Sequence, residues 1–574
     1  MQVRFQYLMI AATLLLLASC TKKNTQGKLI PATASIVVQV DGKSLSEKLP
    51  WDEVKNNPLF KEAYGDSTLP AAVKKLLDNP ASSGIDIAKD LLFFVQKDSS
   101  GGYIGFEGSI KDEVIFKNFN TEITENGSAS EKDGVNFISK FPVSVGWNKE
   151  KFVYVFDAPQ LAQMDQLSRR MMTDSIDISS HSPRDIGATC KSIFALKESS
   201  SLAEEEKFTK LLTQPGDIHF WMNVEELSKN SAASAALAMV NLEKLYKGSI
   251  TTAAVNFDNG KITANTFSYA GKELTSLYKK YSGGKVNEDM LKRMPGKDVV
   301  AVIAMNFQPE GIREFLKLLN LDGFVNLAKP TLGFDLDDFV KANKGDIMIG
   351  LSDFKLATDT SKYLFKDEEA IEPVMPKPTF NFMFAASIGD KEAFNKLVNA
   401  GKKAGNAFVN DTKLPISYNS NGTYFALGNS KENVDKYIAG GSSSNFDFIS
   451  KITGQPFGGF LNIQSLMRSL QSQAGKDSAV KALFDVSLKT WDNVLWKGGE
   501  FKDGALTQSF EINLMDKNTN SLKQLNQYAA KLAEVQIEKK RKQKQDMMAF
   551  EDSVLPGNLK DSLPLPKASH FKEK

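Results

Sequence analysis

Side chains able to carry out chemistry are scarce and scattered. Only three histidines occur in 574 residues, His181, His219 and His570, beside two cysteines, Cys20 and Cys190. No HExxH, paired HxH or Cys/His cluster is present, so a zinc enzyme is not expected. GxSxG, P-loop and GxGxxG patterns are also missing, and the glycines of GGYIGFEG from Gly101 are spaced wrongly for a phosphate cradle and read as strand. SLYK at Ser276 and SDFK at Ser352 match a Ser-x-x-Lys spacing but lack the KTG and SDN partners of penicillin-recognising enzymes. Asp335, Asp337 and Asp338 resemble the start of a calcium loop, yet Phe339 occupies the place of the third oxygen ligand. Acidic residues at a helix start explain them more simply. Trp51, Trp147, Trp221, Trp491 and Trp496 read as core anchors in preference to a sugar platform. His219, on the strand DIHFWM, reads as a packed residue. No catalytic, metal-binding or cofactor-binding residue is predicted, and no cofactor.

One residue does stand in a chemical pattern. MQVRFQYLMIAATLLLLASC has a basic residue at Arg4, an apolar run from Tyr7 to Ala18, and small residues before Cys20. The run is shorter than the ~20 residues a spanning helix needs and fits a secretory signal peptide. The context of Cys20 resembles the bacterial lipobox, in which the thiol is acylated and the signal removed in front of it. Multiple acyl chains anchor far more firmly than one. No later stretch approaches 18 uninterrupted apolar residues, so the remainder is expected to be soluble behind its anchor. Acylation of Cys20 leaves Cys190 without a disulfide partner, and ATCKSIFAL predicts a buried, inert thiol.

The elements behind these residues follow from composition and pattern. With 42% hydrophobic and 24% charged residues, and 71 Lys+Arg against 69 Asp+Glu, the chain is neither disordered nor a nucleic-acid binder by composition. Its length argues for two or more domains. Four segments combine a proline, an alternating apolar strand, an Asp or Asn, and a helix start; they begin at Pro31, Pro215, Pro295 and Pro456. Asp41, Asn223, Asn306 and Asn462 are predicted to cap the helices that follow. SIKDEVIF from Ser109 recurs as SIGDKEAF from Ser387, 278 residues on, and Lys247 pairs with Lys497 at 250. Pro31 to Pro295 spans 264, and Pro215 to Pro456 spans 241. Ordered offsets of this kind describe two copies in tandem.

Within each copy, FDNGKI and FKDGAL place Asn-Gly or Asp-Gly turns between alternating runs, which predicts antiparallel hairpins. Helices are predicted over EEEKFTKLL, with Ser201 and Glu204 at capping-box spacing, and over DKEAFNKLVNAGKK, ending near Gly405. The fold class is α+β: two tandem homologous copies, each a mainly antiparallel sheet with helices packed on one face. Leu525, Ala529, Leu532 and Val535 form a helical stripe expected to dock on the second copy, before the charged run EKKRKQKQD from Glu538. The organisation is therefore 1–19 signal peptide, 20–30 tether, 31–284 first repeat, 285–537 second repeat, and 538–574 charged helix end with a flexible tail.

The lipobox, IVVQVDGKSL, WDEVKNNPLF and GIDIAKDLLFFVQ together resemble a family of uncharacterised Bacteroidetes lipoproteins, known as domain of unknown function 4836. The resemblance implies a Gram-negative envelope and carries no catalytic residue across. The expected function is a non-catalytic, lipid-anchored envelope protein with a binding or structural role through its duplicated domains; the alternative is an envelope hydrolase or glycan-binding lipoprotein. Expected partners are the membrane, through the anchor, and an envelope protein or glycan, with no nucleic acid. TKKNTQGK after Cys20 lacks the acidic residues of a surface-export signal. A tether of about ten residues, at up to ~3.6 Å each, holds the first domain near the bilayer. These features predict an outer-membrane protein facing the periplasm.

Overall fold

A computed structural model describes residues 26–65, 71–98, 100–125, 127–159, 161, 184–229, 240–357, 377–412, 416–441, 445–471 and 478–554. Cys20, the signal segment, His181, His570 and the tail from 555 lie outside the described residues. Residues 31–284 supply β1 (Ile36–Val40), β2 (Leu91–Asp98), β3 (Gly101–Ser109), β4 (Ser128–Lys132), β5 (Val135–Lys140), β6 (Val143–Trp147), β7 (Lys151–Asp157), β8 (Ile218–Asn223), β9 (Ile250–Asp258) and β10 (Lys261–Tyr269). Residues 285–537 supply β11 (Val299–Asn306), β12 (Asn343–Ala357), β13 (Lys377–Ile388), β14 (Ser417–Ser420), β15 (Tyr424–Gly428), β16 (Phe457–Asn462), β17 (Trp491–Lys502) and β18 (Ala505–Leu514). The helices used below are α1 (Gly42–Lys48), α2 (Glu113–Ile123), α3 (Ile186–Phe194), α4 (Glu206–Leu212), α5 (Pro309–Leu318), α6 (Leu336–Ala342), α7 (Lys391–Thr412), α8 (Ser478–Thr490) and α9 (Ser521–Val554).

All 18 strands join one antiparallel sheet. From the β10–β18 pair outward, one half runs β10-β9-β8-β1-β2-β3-β7-β6 and the other β18-β17-β16-β11-β12-β13-β15-β14. The two orders correspond strand for strand, and the β5–β4 hairpin extends the first edge. The halves meet through eight paired positions, Lys261↔Asn513 to Ser268↔Leu506. Two hairpins build this seam, turning at Asn259-Gly260 and Asp503-Gly504, whose glycines take φ of 67° and 82°. That left-handed backbone is what a two-residue hairpin turn demands.

Strand-to-helix switches are capped as predicted at three of four sites. Asp41 accepts from the Ser44 N–H at 2.8 Å, Asn223 from the Glu226 N–H at 3.1 Å, and Asn462 from the Ser465 N–H at 2.9 Å. Each such cap contributes about 1 kcal/mol. Asn306 departs from this: its amide donates to Asp346 at 2.7 Å, and α5 starts later, at Pro309 behind Gln308. Pro309 lacks an N–H and suits the first helical position, which moves the helix start beyond the reach of Asn306. Ser201 likewise caps no α-helix; Glu205 does so for α4, because a short 3-10 turn at Leu202–Glu204 intervenes. The helix expected to stop near Gly405 continues to Thr412 in α7, since its interior glycines, Gly401 and Gly405, cost only about 1 kcal/mol each.

Helices lie on both faces of the outer strands. Along β7, Val153 and Val155 pack with Cys190 and Ile193 of α3, whereas Phe152 and Tyr154 pack with Phe116 of α2. Successive strand residues point to opposite faces, so an unbroken apolar run demands cover on both sides. In the other half, Met383 and Ala385 of β13 belong to one core, and Phe384 joins Phe394 of α7 in another. The long helix α9 packs on the second half, with Tyr528 edge-on to Trp491 at 5.4 Å. It also reaches the first half, where Lys523 pairs with Glu53 at 2.8 Å and the Asn57 amide donates to the Asn526 carbonyl at 2.9 Å. The helix thus touches both halves, through Tyr528 on one side and Lys523 and Asn526 on the other.

Candidate functional site

On α7, Phe394, Leu397, Val398 and Gly401 recur at i, i+3, i+4 and i+7, which places them on one helix face. Asp390 caps the helix by accepting from the Ala393 N–H at 2.8 Å. This face covers Ile347 of β12, Phe384 of β13, and Phe425 and Leu427 of β15. The cover is incomplete, and an apolar cavity of about 530 Å³ remains between helix and sheet. Phe339 of α6 lines it too, while Ile416 and Tyr418, 49% and 48% exposed, mark its open side. A polar groove of about 620 Å³ adjoins it, lined by Lys391, Asn395, Asn399, Ser420 and Asn421. Cavity and groove share Phe394, Val398, Lys402, Tyr418 and Phe425.

The equivalent place in the first half is filled, and the fill is traceable residue by residue. The 278-residue offset sets Phe106, Phe116, Asn120 and Ile123 against Phe384, Phe394, Val398 and Gly401. Strand register supplies the remainder. Phe106 pairs with Tyr154 where Phe384 pairs with Leu427, and Trp147 pairs with Phe152 where Ser420 pairs with Phe425. In the first half Trp147, Phe116 and Phe152 are fully buried, with ring centroids of Phe116 5.7 Å from Trp147 and 5.1 Å from Phe152. The Tyr154 hydroxyl donates to Asn120 at 2.7 Å. In the second half, Gly401 replaces Ile123, Ser420 replaces Trp147 and Leu427 replaces Tyr154. Gly401 and Leu427 line the cavity and Ser420 the adjoining groove, so the lost bulk around one helix leaves space that closely packed interiors do not otherwise tolerate.

Among the described residues, none of those singled out for chemistry lines this cavity. Cys190 is fully buried on α3, its Sγ 3.8 Å from the Val153 carbonyl, and burial pushes its thiol up to about 12. His219 is buried between Gln39 and the Gln214 carbonyl, the latter 2.9 Å from Nε2. Ser352 is buried in β12 and donates to the Pro295 carbonyl, and Ser276 bonds back to the Lys272 carbonyl of its own helix. Asp335 and Asp338 form a capping box at the start of α6. The tryptophans occupy separate sites: Trp147 and Trp221 are buried, Trp51 donates to the Leu77 carbonyl, Trp491 meets Tyr528, and Trp496 lies against Gly459. Among the described residues no group of three His, Cys, Asp or Glu is placed to hold a metal ion. Sequence reasoning passed over the cavity. Its only sequence signal is the loss of side-chain bulk between Ile123 and Gly401, visible once the Ser109 and Ser387 segments are extended along their offset.

The family described as Domain of unknown function (DUF4836) matches residues 27–366, running past residue 284 and through the whole of β12. No curated protein matches the chain. Crystal forms IV, I and III of TP0453 align at 10%, 11% and 11% identity, covering 42%, 43% and 44% of this chain and 80%, 78% and 82% of that one. Their TM-scores are 0.21, 0.22 and 0.23, too low to carry an argument about fold or function.

Proposed function

This chain belongs to the DUF4836 family, and we propose that it is a non-catalytic, lipid-anchored envelope protein that binds an apolar molecule beneath α7. The observation that carries this reading is the cavity itself: an apolar concavity of about 530 Å³ falls within the size range of ligand sites, roughly 300 to 1,000 Å³. Apart from Lys402 and Tyr418 at its open side, its lining side chains among the described residues are apolar, or the amide of Asn343, and offer packing in place of a converging acid, base and nucleophile. The matching strand orders support descent of the halves by duplication, with the aromatic-filled half serving as scaffold and the hollow half as binder. Cys20 carries the anchor in this reading, on the periplasmic side of the outer membrane. No helix among the described residues is long and apolar enough to cross a membrane.

Fluorescence enhancement of the neutral probe N-phenyl-1-naphthylamine tests the cavity. Wild type binds it, and Gly401→Phe does not. A Cβ at Gly401 meets nothing within 4 Å, and removing a mid-helix glycine favours the helix by up to about 1 kcal/mol. Retained stability with lost binding is therefore specific. Ser420→Trp combined with Leu427→Tyr, which installs the first half's fill, gives the same loss. Unchanged probe binding in both variants, or turnover of a defined glycan or peptide by purified protein, overturns the proposal. Cys20→Ser tests the anchor by moving the protein from the membrane to the soluble fraction; retention in the membrane overturns that part.

A further inference from the structure

Building on that reading, we infer that the occupant is a single long-chain fatty acid, its acyl chain under α7 and its carboxylate in the adjoining groove at Lys391 and Lys402. Cavity and groove are continuous through their shared residues, so one elongated molecule can occupy both. If each methylene takes about the ~30 Å³ share of a water molecule, a cavity of about 530 Å³ holds one chain of at most roughly 18 carbons and not two. No Asp or Glu among the described residues lines the groove. Among the described residues neither Lys391 nor Lys402 has a carboxylate within 4.0 Å, whereas Lys396 on the same helix is paired with Asp338 at 2.7 Å. The Lys402 ammonium lies 4.8 Å from the ring centroid of Tyr418, at the junction of cavity and groove. Lys391 crosses Gly422, where an added Cβ would stand 3.0 Å from its Nζ. Asn395 and Asn399 supply further amide donors, while the Asn421 amide is held by the Ile438 carbonyl at 3.0 Å.

The filled half provides an independent contrast. The 278-residue offset sets Glu113 against Lys391 and Thr124 against Lys402. The half whose equivalent place is filled has an acid and a neutral residue where the hollow half has two cations. Room for a chain and charge for a head occur together.

The test uses the purified full-length chain loaded with N-phenyl-1-naphthylamine and displaced by palmitate or by hexadecanol, which shares the chain length but has no charge. Palmitate is expected to displace the probe at one molecule per protein and about tenfold more tightly than hexadecanol, a preference that shrinks as salt is raised. Lys391→Glu combined with Lys402→Thr, which restores the first half's residues, is expected to remove that preference. Equal affinities in wild type, or a preference that survives in the double variant, overturns the carboxylate site. Probe binding that neither amphiphile displaces overturns the fatty-acid assignment and leaves an apolar binder. A wild type that takes no probe overturns both.

Discussion

Truncating Trp147 to Ala should open in the first half a space like that already present in the second. Trp147 is 1% exposed and packs edge-on to Phe116 at 5.7 Å, within the cluster of Phe152 and Tyr154. Truncating a buried aromatic costs about 3–5 kcal/mol when the surroundings cannot collapse. Part of that is returned, because the buried Nε1 of Trp147 has no acceptor among the described residues, and an unmet buried donor costs about 1–3 kcal/mol. A net loss of about 2–3 kcal/mol is expected in urea unfolding followed by circular dichroism. The void is apolar and matches an indole ring, and a ligand that binds only the folded state stabilises by about 1.4 kcal/mol at ten times its Kd. Added indole should therefore recover part of the loss in Trp147→Ala beyond any effect it has on wild type. A loss below about 1 kcal/mol, or equal stabilisation of variant and wild type, would refute the claim that this ring is what keeps the first half closed.

Further outcomes follow from the buried charges and the thiol. Asp217 accepts from Lys48 at 2.6 Å, from the Ser44 hydroxyl at 2.5 Å and from the Phe257 N–H at 2.6 Å; burial opposes its ionisation, but these partners outweigh burial and lower its pKa. Asp217→Asn should lose about 2 kcal/mol at pH 7, and unfolding series at falling pH should show the gap closing below the ordinary Asp value of about 3.9, as the wild-type carboxylate protonates. Glu107 behaves in the opposite sense: burial raises its pKa despite Lys151 at 3.3 Å. Relative to wild type, Glu107→Gln should gain stability as pH rises from about 4.3 through the raised folded value, and a pH-independent difference would contradict this. Cys190 should resist Ellman's reagent in the native protein and react only on unfolding, because its thiol is buried and its pKa stands at about 12.

Sequence by itself determined the local pieces. Hairpins at Asn259-Gly260 and Asp503-Gly504, caps at Asp41, Asn223 and Asn462, and the repeated SIxDxxxF segments depend on contacts within a few residues, so pattern and turn chemistry expressed them directly. Tertiary structure decided what depends on distant partners. Pairing of β10 with β18 turned the expected separate sheets into one, since an edge strand's free N–H and C=O groups are satisfied by whichever edge arrives beside them. Asn306 turned to Asp346 because β12 lies beside β11, and α9 bridged the halves because the first half presents Glu53 and Asn57 to it. The cavity is the clearest case. Volume is a sum over side chains from α7, β12, β13, β14 and β15, and no single residue encodes it. A glycine, a serine and a leucine are unremarkable one by one in the chain. Only folding brings Gly401, Ser420 and Leu427 to the positions that Ile123, Trp147 and Tyr154 occupy in the other half, where their missing atoms leave the cavity and its adjoining groove open.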